Sequence, residues 1–529
     1  MTRRELRALF ARLLDAPNAI ITVSPQPHWG EYTSNFPLQQ AKKRGQTPAQ
    51  IGQTARERLG PFWSGHIVLE QGRLQFHMSD DTFLLELERA TREGAHYGAS
   101  NFLAGQRILV EYVSSDPTGP LPFGAGRHAA WGEALCRLLE SAGARVSREF
   151  YLNDQTSSSK LRALGESVAN AYSSAFGRNT GLSTAFARTL GGEWARHEGA
   201  RWLQESPEDR LEAATNFALE RAVELQRTSL ERFGTHFDSW VKESDLERNG
   251  QIERVLAQLT ERGLTFTRDG ALWLRTTEFG DDADRVLRRA SGRATYFAAD
   301  IAYHSWKAER GFDHVLNVWS AGHGPYIPRT KAALRAAGLD ESKFEFLTVE
   351  EAALERDGLP IRLGLGGGPL VLDEEVEEIG SDALHWFFVA KPASKVAAVD
   401  LEITTRDDES NPAYAAQLLP SRLATMRRAL EGRLSSTAPG DEDAWNPGER
   451  ELARLVALWP DCLENAAKDR APEKVADFVS QLAKATRELS RQNAPSLAPT
   501  TRRLDLLRAA GNVATNALKI LGLDANERF

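Results

Sequence analysis

Two cysteines, Cys136 and Cys462, are all that the 529 residues contain, which excludes a disulfide framework and a zinc cluster. No apolar run approaches the roughly 18 residues of a membrane span. The opening Met1-Thr-Arg-Arg-Glu-Leu-Arg is too charged, and the apolar stretch after it too short, for a signal peptide. Neither sign of charge is in large excess: 65 basic against 73 acidic residues leave a formal net charge of −8. That balance excludes a uniformly basic nucleic-acid coat and leaves local basic patches open. There is no internal repeat. What is there is 41% hydrophobic and 26% charged, an ordinary globular balance, and the length suits about three or four domains. The expectation is a large, soluble, cytoplasmic, multidomain protein.

The pattern along the chain divides into three parts. Residues 1–100 read as a small α+β domain. A helix over 1–15 carries Leu6, Leu9, Phe10, Leu13 and Leu14 at helical spacing. A Pro/Gly/Ser-rich loop over 25–35 precedes helices at 36–43 and 48–59, and the alternation over 72–78 predicts a half-buried strand. Residues 101–385 read as an α/β domain with a helical insertion at about 155–265. The β-rich run 108–113 ends in Ser114-Ser-Asp-Pro-Thr-Gly-Pro120, Gly124 and Gly126 follow in a loop, and a helix over 127–142 leads to a strand over 146–152. This is a βαβ unit, but its glycines fit neither Gly-x-Gly-x-x-Gly nor a P-loop. Further strands are predicted at 271–276, 294–297 and 314–318. Residues 386–529 read as a helical bundle, broken by a Pro/Gly/acidic linker at 435–448 and ending in a helix over 504–521.

Ordered motifs then become specific. The chain carries Gly30-Glu-Tyr-Thr-Ser-Asn35, Val110-Glu-Tyr-Val-Ser-Ser-Asp-Pro-Thr-Gly119 and Val146-Ser-Arg-Glu-Phe-Tyr-Leu-Asn-Asp154. It continues with Ala271-Leu-Trp-Leu-Arg-Thr-Thr-Glu-Phe-Gly280, Tyr296-Phe-Ala-Ala-Asp-Ile-Ala-Tyr-His304 and Asn411-Pro-Ala-Tyr-Ala-Ala-Gln417. Over essentially its whole length it resembles a bacterial-type arginyl-tRNA synthetase, a class I aminoacyl-tRNA synthetase. The resemblance implies an α/β multidomain fold: a Rossmann-type catalytic domain, an N-terminal α+β domain that contacts tRNA in the family, and a C-terminal helical bundle similar to anticodon-binding domains. It also implies a monomer, with tRNA, arginine and ATP with magnesium as partners, no tightly bound cofactor and no membrane.

Carried over position by position, the resemblance places Glu111, Tyr296 and Asp300 at the family's arginine site. Glu111 is expected at the ammonium end, and Asp300 as a bidentate partner of the guanidinium. Asp116 stands where the family has an asparagine, adding a negative charge. On the ATP side the chain departs from the family. The signature His-x-Gly-His reads Pro122-Phe-Gly124-Ala125, which keeps only the glycine. His128, one turn on, and His323, the survivor of a paired-histidine segment, are the remaining candidates for ATP. The Lys-Met-Ser-Lys signature falls in the best register at Arg362-Leu363-Gly364-Leu365-Gly366, with Leu365 in place of the catalytic lysine. No lysine occurs between Lys343 and Lys391. For tRNA the candidates are Tyr414, Gln417 and Arg422, with Arg427, Arg428 and Arg433 nearby and Arg487, Arg491, Arg502 and Arg503 extending the patch. A solvated helix face accounts for these arginines equally well.

Two functional readings follow. One is a working arginine–tRNA ligase. The other is a catalytically inactive paralogue that keeps tRNA or arginine binding in a regulatory or partner-binding role.

Overall fold

The structure is a computed structural model that describes residues 2–156, 158–178, 181, 183–363, 368–433, 445–493 and 500–526. The chain folds into two compact units. One comprises Met1–Phe102, Ser141–Gly143 and Arg406–Phe529; the other comprises Leu103–Glu140 and Ala144–Thr405. Among the described residues no helix is long and apolar enough to cross a membrane.

The first unit joins the two ends of the sequence in one core. Helix Arg3–Leu14 starts at a capping box in which the Thr2 side chain and Glu5 satisfy each other's backbone donors, and Leu6, Leu9, Phe10 and Leu14 are buried. An antiparallel sheet of order β1-β2-β4-β3 is built from β1 (Ile21–Val23), β2 (Tyr32–Ser34), β3 (Gly65–Glu70) and β4 (Arg73–Met78). β2 lies inside the stretch read as a loop. It is three residues long, but Tyr32, Thr33 and Ser34 pair with Phe76, Gln75 and Leu74 and are all buried. Against this layer lie the helices Pro447–Asp469 and Thr501–Leu521. Tyr32 donates to Asp461 Oδ2 at 2.6 Å, and Arg3 pairs with Asp461 Oδ1 at 3.2 Å, with both charged side chains almost fully buried. The Trp459 indole donates to the Tyr97 carbonyl at 3.0 Å, and the Asn516 amide to Gly94 at 2.9 Å. Removing one partner of such a buried pair costs about 3–5 kcal/mol. Of the linker predicted at 435–448, residues 435–444 lie outside the described residues; Pro447 already begins a helix capped by Asn446.

The second unit is organised by a five-stranded parallel sheet of order β12-β11-β5-β6-β7. It comprises β5 (Arg107–Glu111), β6 (Arg145–Leu152), β7 (Ser239–Lys242), β11 (His314–Ser320) and β12 (Phe344–Val349). Between β7 and β11 the chain forms a small antiparallel sheet, β8 (Thr265–Arg268), β9 (Ala271–Leu274) and β10 (Arg285–Arg288). After β12, strands β13 (Ala352–Arg356), β14 (Leu359–Ile361) and β15 (Ala397–Asp400) form a small mixed sheet, β14 antiparallel and β15 parallel to β13. β15 lies in a stretch expected to be helical.

Three expectations are corrected here. The helix after β5 begins at Phe123, not Arg127, so Gly124 and Gly126 lie in its first turn rather than in a loop. A Cβ on Gly126 would stand 2.5 Å from Leu372 Cδ1 and 2.9 Å from Phe388 Cε2, so close packing accounts for that glycine within a helix. Residues 294–297 are not a strand: Thr295 caps a helix, Tyr296–Glu309, by accepting from the Ala298 N–H, a contact worth about 1 kcal/mol. The helical insertion also contains β7, four residues that complete the sheet.

Candidate functional site

β5 has β6 on one side and β11 on the other, so the order of the strands reverses there. In open parallel sheets, ligands bind in the crevice at the carboxyl ends of the strands beside such a reversal. Glu111 ends β5, Asn153 and Asp154 follow β6, Glu243 follows β7, and Ser320 ends β11. Topology thus gathers Glu111, one of the expected site residues, with polar residues that follow the neighbouring strands.

Glu111 is internally compensated. Its Oε2 accepts from Lys307 Nζ at 2.5 Å and its Oε1 from Ser114 Oγ at 3.0 Å. Lys307 is fully buried, donates to Asn317 Oδ1 at 2.8 Å and lies 4.0 Å from the centre of the Tyr303 ring. Ser114 is turned into place by a strained elbow: Val113 and Ser114 have φ of +67° and +41°, conformations that cost about 1–3 kcal/mol each. The elbow also lets Ser114 Oγ accept from the Tyr151 N–H at 3.1 Å.

The unpaired negative charge lies in Glu243 and Asp300. Glu243 is buried, and loss of water, followed by the repulsion of Asp154, pushes its carboxyl up to about 7. Asp300 stands one turn from the exposed Tyr296 on the same helix. Desolvation, followed by Glu243 and Glu111, pushes it to about 7 as well, with Lys307 opposing. Asp300 is nevertheless exposed, so solvent screens much of this, and the neighbouring Glu243 and Glu111 carboxylates are the firmer cause. The Tyr151 hydroxyl is buried without a hydrogen-bond partner and approaches Glu243 short of bonding geometry. Asp154 is tied to Ser244 through its N–H (2.8 Å) and hydroxyl (2.6 Å). A pocket holding two carboxyls near neutrality is suited to a cation with several donors.

The negative charge that Asp116 adds is met by a cation. Lys160 Nζ lies 2.5 Å from its Oδ2, and Asn153 donates to Oδ1 at 3.3 Å. Gln226 holds the loop by donating to the carbonyls of Asp116 (2.9 Å) and Gly119 (3.0 Å).

The first signature segment lies beside Leu370–Leu372, the stretch that follows the loop of the second. Phe123 N donates to Leu370 O at 3.0 Å, and Leu372 N to Leu121 O at 2.9 Å, with Pro122 and Val371 forming a bridge. Arg362 is exposed, whereas Gly364 and Leu365 lie outside the described residues. A Cβ on Gly124 would stand 3.4 Å from a carboxylate oxygen of Glu351. Pro122 and Ala125 bring no side-chain donor. His128 and His323 are close enough to feel each other's charge, but His128 is buried, and burial, then Arg127 and His323, lowers its pKa to about 4. It is therefore neutral at pH 7 and supplies no cation. His323 is exposed, with Nδ1 2.8 Å from Ser320 Oγ. Arg127 is turned inward: it donates to the carbonyls of Glu351 (3.0 Å), Lys395 (2.5 Å) and Pro392 (3.0 Å).

In the first unit, Tyr414, Gln417 and Arg422 lie on helix Pro412–Glu431, the tyrosine and glutamine half-buried. Arg487 and Arg491 join Arg422 at one carboxylate, Glu409, while Arg427 and Arg508 share Glu431. Arg502 and Arg503 do not extend this face. Both are buried, Arg503 pairing with Glu449 and Arg502 lying over the Trp445 ring.

Sequence reasoning missed Glu243, Lys307 and Tyr151. Glu243 had a usable signal, since Ser239-Trp-Val-Lys is a short β-rich run with an acid directly after it.

With this geometry in place, comparison with known proteins is informative. The DALR anticodon binding domain matches residues 417–529. The chain is 34% identical to the arginine–tRNA ligase of Bacillus pumilus, over 97% of this chain and 95% of that protein. It is 32% identical to that of Bacillus subtilis, over 99% and 97%. In fold it is similar to the arginyl-tRNA synthetase of Thermus thermophilus, with a TM-score of 0.77 at 21% identity covering 100% of both chains.

Proposed function

The chain belongs to the arginine–tRNA ligase family, with the class I synthetase fold, and on that premise we propose that it binds arginine and tRNA but activates arginine with ATP only weakly. In the family reaction the arginine carboxylate attacks the α-phosphate of ATP, pyrophosphate leaves, and the arginyl group passes to the 3′ end of the tRNA. Glu243 and Asp300 receive the guanidinium, and both ionise fully as it enters. Glu111, held by Lys307 and Ser114, shapes the neighbouring wall. Tyr414, Gln417 and Arg422 belong to the tRNA-binding surface of the bundle. ATP, with its magnesium ion, enters as a co-substrate.

The observation that carries this reading is that the signature histidines and lysine are replaced by Pro122, Ala125 and Leu365, which leaves Arg362 as the cation of that loop. His128 is neutral, and no lysine occurs between Lys343 and Lys391. Losing one preorganised transition-state contact typically costs about 10²–10³ in rate, and losses within one site do not simply add. The second reading, a fully working ligase, is favoured by similarity over the whole length. Arginine-dependent ATP–pyrophosphate exchange with tRNA present separates the two. The expected result is exchange at least about 10²-fold below that of a ligase with intact signatures, with arginine binding still measurable by calorimetry. Exchange at an ordinary ligase rate overturns the proposal.

A further inference from the structure

Three arginines from two helices meet at a single carboxylate on the bundle. Glu409 sits in the turn before helix Pro412–Glu431; its Oε1 accepts from Arg422 Nη1 at 2.8 Å, and its Oε2 from Arg487 Nη1 at 3.2 Å and Arg491 Nη2 at 3.4 Å. The turn is itself fixed. Asp408 accepts from the Ser410 N–H at 2.7 Å and, through its carbonyl, from the Asn411 N–H at 3.1 Å, and Asn411 caps the helix. None of the four side chains is buried: Glu409 is 26% exposed, Arg422 and Arg487 31%, and Arg491 72%.

Stability does not explain this arrangement, since solvent-accessible ion pairs contribute little. Its effect is on geometry. Three guanidiniums so close repel one another and, left alone, splay into solvent. Each arginine has rotamer entropy that a ligand must overcome on ordering it. Glu409 gathers them beforehand while using one of the five N–H donors on each, and it leaves the group with a net charge of +2. A carboxylate and a phosphodiester present similar paired oxygens to a guanidinium, so donors collected around the first are well placed for the second.

The geometry points to Glu409 as a positioning residue that assembles Arg422, Arg487 and Arg491 into a preformed seat for an RNA phosphodiester. This inference rests on the tRNA-binding reading above and makes a counter-intuitive claim. By charge alone, removing an acid from a basic face strengthens RNA binding; if the acid positions the arginines, removing it weakens binding.

The test uses the full-length chain and an arginine-accepting tRNA transcript, with binding followed by fluorescence anisotropy between about 50 and 200 mM salt. E409Q is expected to bind about tenfold more weakly at the low-salt end, with a salt slope shallower by about one. E409D, which can still hold the arginines, is expected to recover most of both. E409Q binding as tightly as wild type or tighter, with an unchanged slope, overturns the inference. If E409Q unfolds, R491Q decides: Arg491 is the most exposed of the three, and its loss is expected to lower the slope by about one, whereas an unchanged slope overturns the seat. Wild type that shows no salt-dependent binding overturns the tRNA reading itself, and this inference with it.

Discussion

The two halves of the crevice share one sheet and one set of strand ends, yet they have fared differently. The acidic half is complete down to its supports: Glu111 rests on Lys307 and Ser114, Asp154 on Ser244, and Glu243 and Asp300 stand with unpaired charge. The half proposed for the phosphates keeps its packing, while its signature positions carry no side-chain cation among the described residues except the exposed Arg362. Gly126 still packs against Leu372 and Phe388, and Arg127 still collects three carbonyls, while Pro122, Ala125 and the neutral His128 offer no positive charge. Residues that pack are held by the fold whatever the reaction. Residues that only touch a ligand are free to change once that contact is no longer needed.

The largest effect available is to break the asymmetry. Restoring one signature histidine and the signature lysine with A125H and L365K is expected to raise ATP–pyrophosphate exchange by about 10² or more; no gain would mean that the scaffold too has drifted from a productive geometry. Damage to the intact half comes next. D300N removes one of two charged partners, so arginine affinity measured by calorimetry should fall about 30-fold or more, the usual consequence of truncating a hydrogen-bonded charge pair. The tRNA affinity should be unaffected, and an equal loss of both would show that Asp300 serves the fold rather than the ligand.

The pH dependence sharpens the comparison with a smaller effect. A cation binds the ionised carboxyls, so arginine affinity should fall by up to about tenfold per carboxyl for each pH unit below 7, with proton release on binding in that range. The sign for stability is opposite. The buried Glu243 carboxyl, raised in the folded state from 4.5 to about 7, contributes stability that is fully present below its unfolded pKa and is lost as pH rises through about 7. The ligand-free protein should therefore melt at a lower temperature at pH 8 than at pH 6, while the increment gained from arginine grows. A ligand-free melting temperature that rises from pH 6 to pH 8 would argue against the raised pair.

How much of this was legible in the sequence depended on how far each signal extended along the chain. Glu111, Tyr296 and Asp300 lie in contiguous motifs; in the structure Asp300 is within electrostatic reach of Glu111, and Tyr296 stands one turn before it on the same helix. Glu243 was hidden because β7 is four residues long inside a helical insertion and exists only through its pairing with β6. β2 was hidden for the same reason, its partner lying some forty residues on in β4. Residues 294–297 misled because threonine, tyrosine and phenylalanine favour strands, but here the threonine hydroxyl caps a helix. Gly124 and Gly126 suggested a loop; side chains from Leu372 and Phe388, invisible locally, are what require Gly126 within a helix. The neutrality of His128 follows from three-dimensional burial, which no local pattern carries.

The shared core of the first unit has a consequence in time. On the ribosome, residues 1–102 emerge first, but the groups that complete their core, Asp461, Trp459 and Asn516, arrive only after residues 103–405 have been made. At about 5–20 residues per second that interval is about 15–60 s. Throughout it the Tyr32 hydroxyl and the Arg3 guanidinium lack the carboxylate they share, and the apolar face that will meet the bundle stays uncovered. A chain cut short anywhere before the bundle leaves the beginning of the protein unfinished, so the stability of the first hundred residues reports whether the last hundred were ever synthesised.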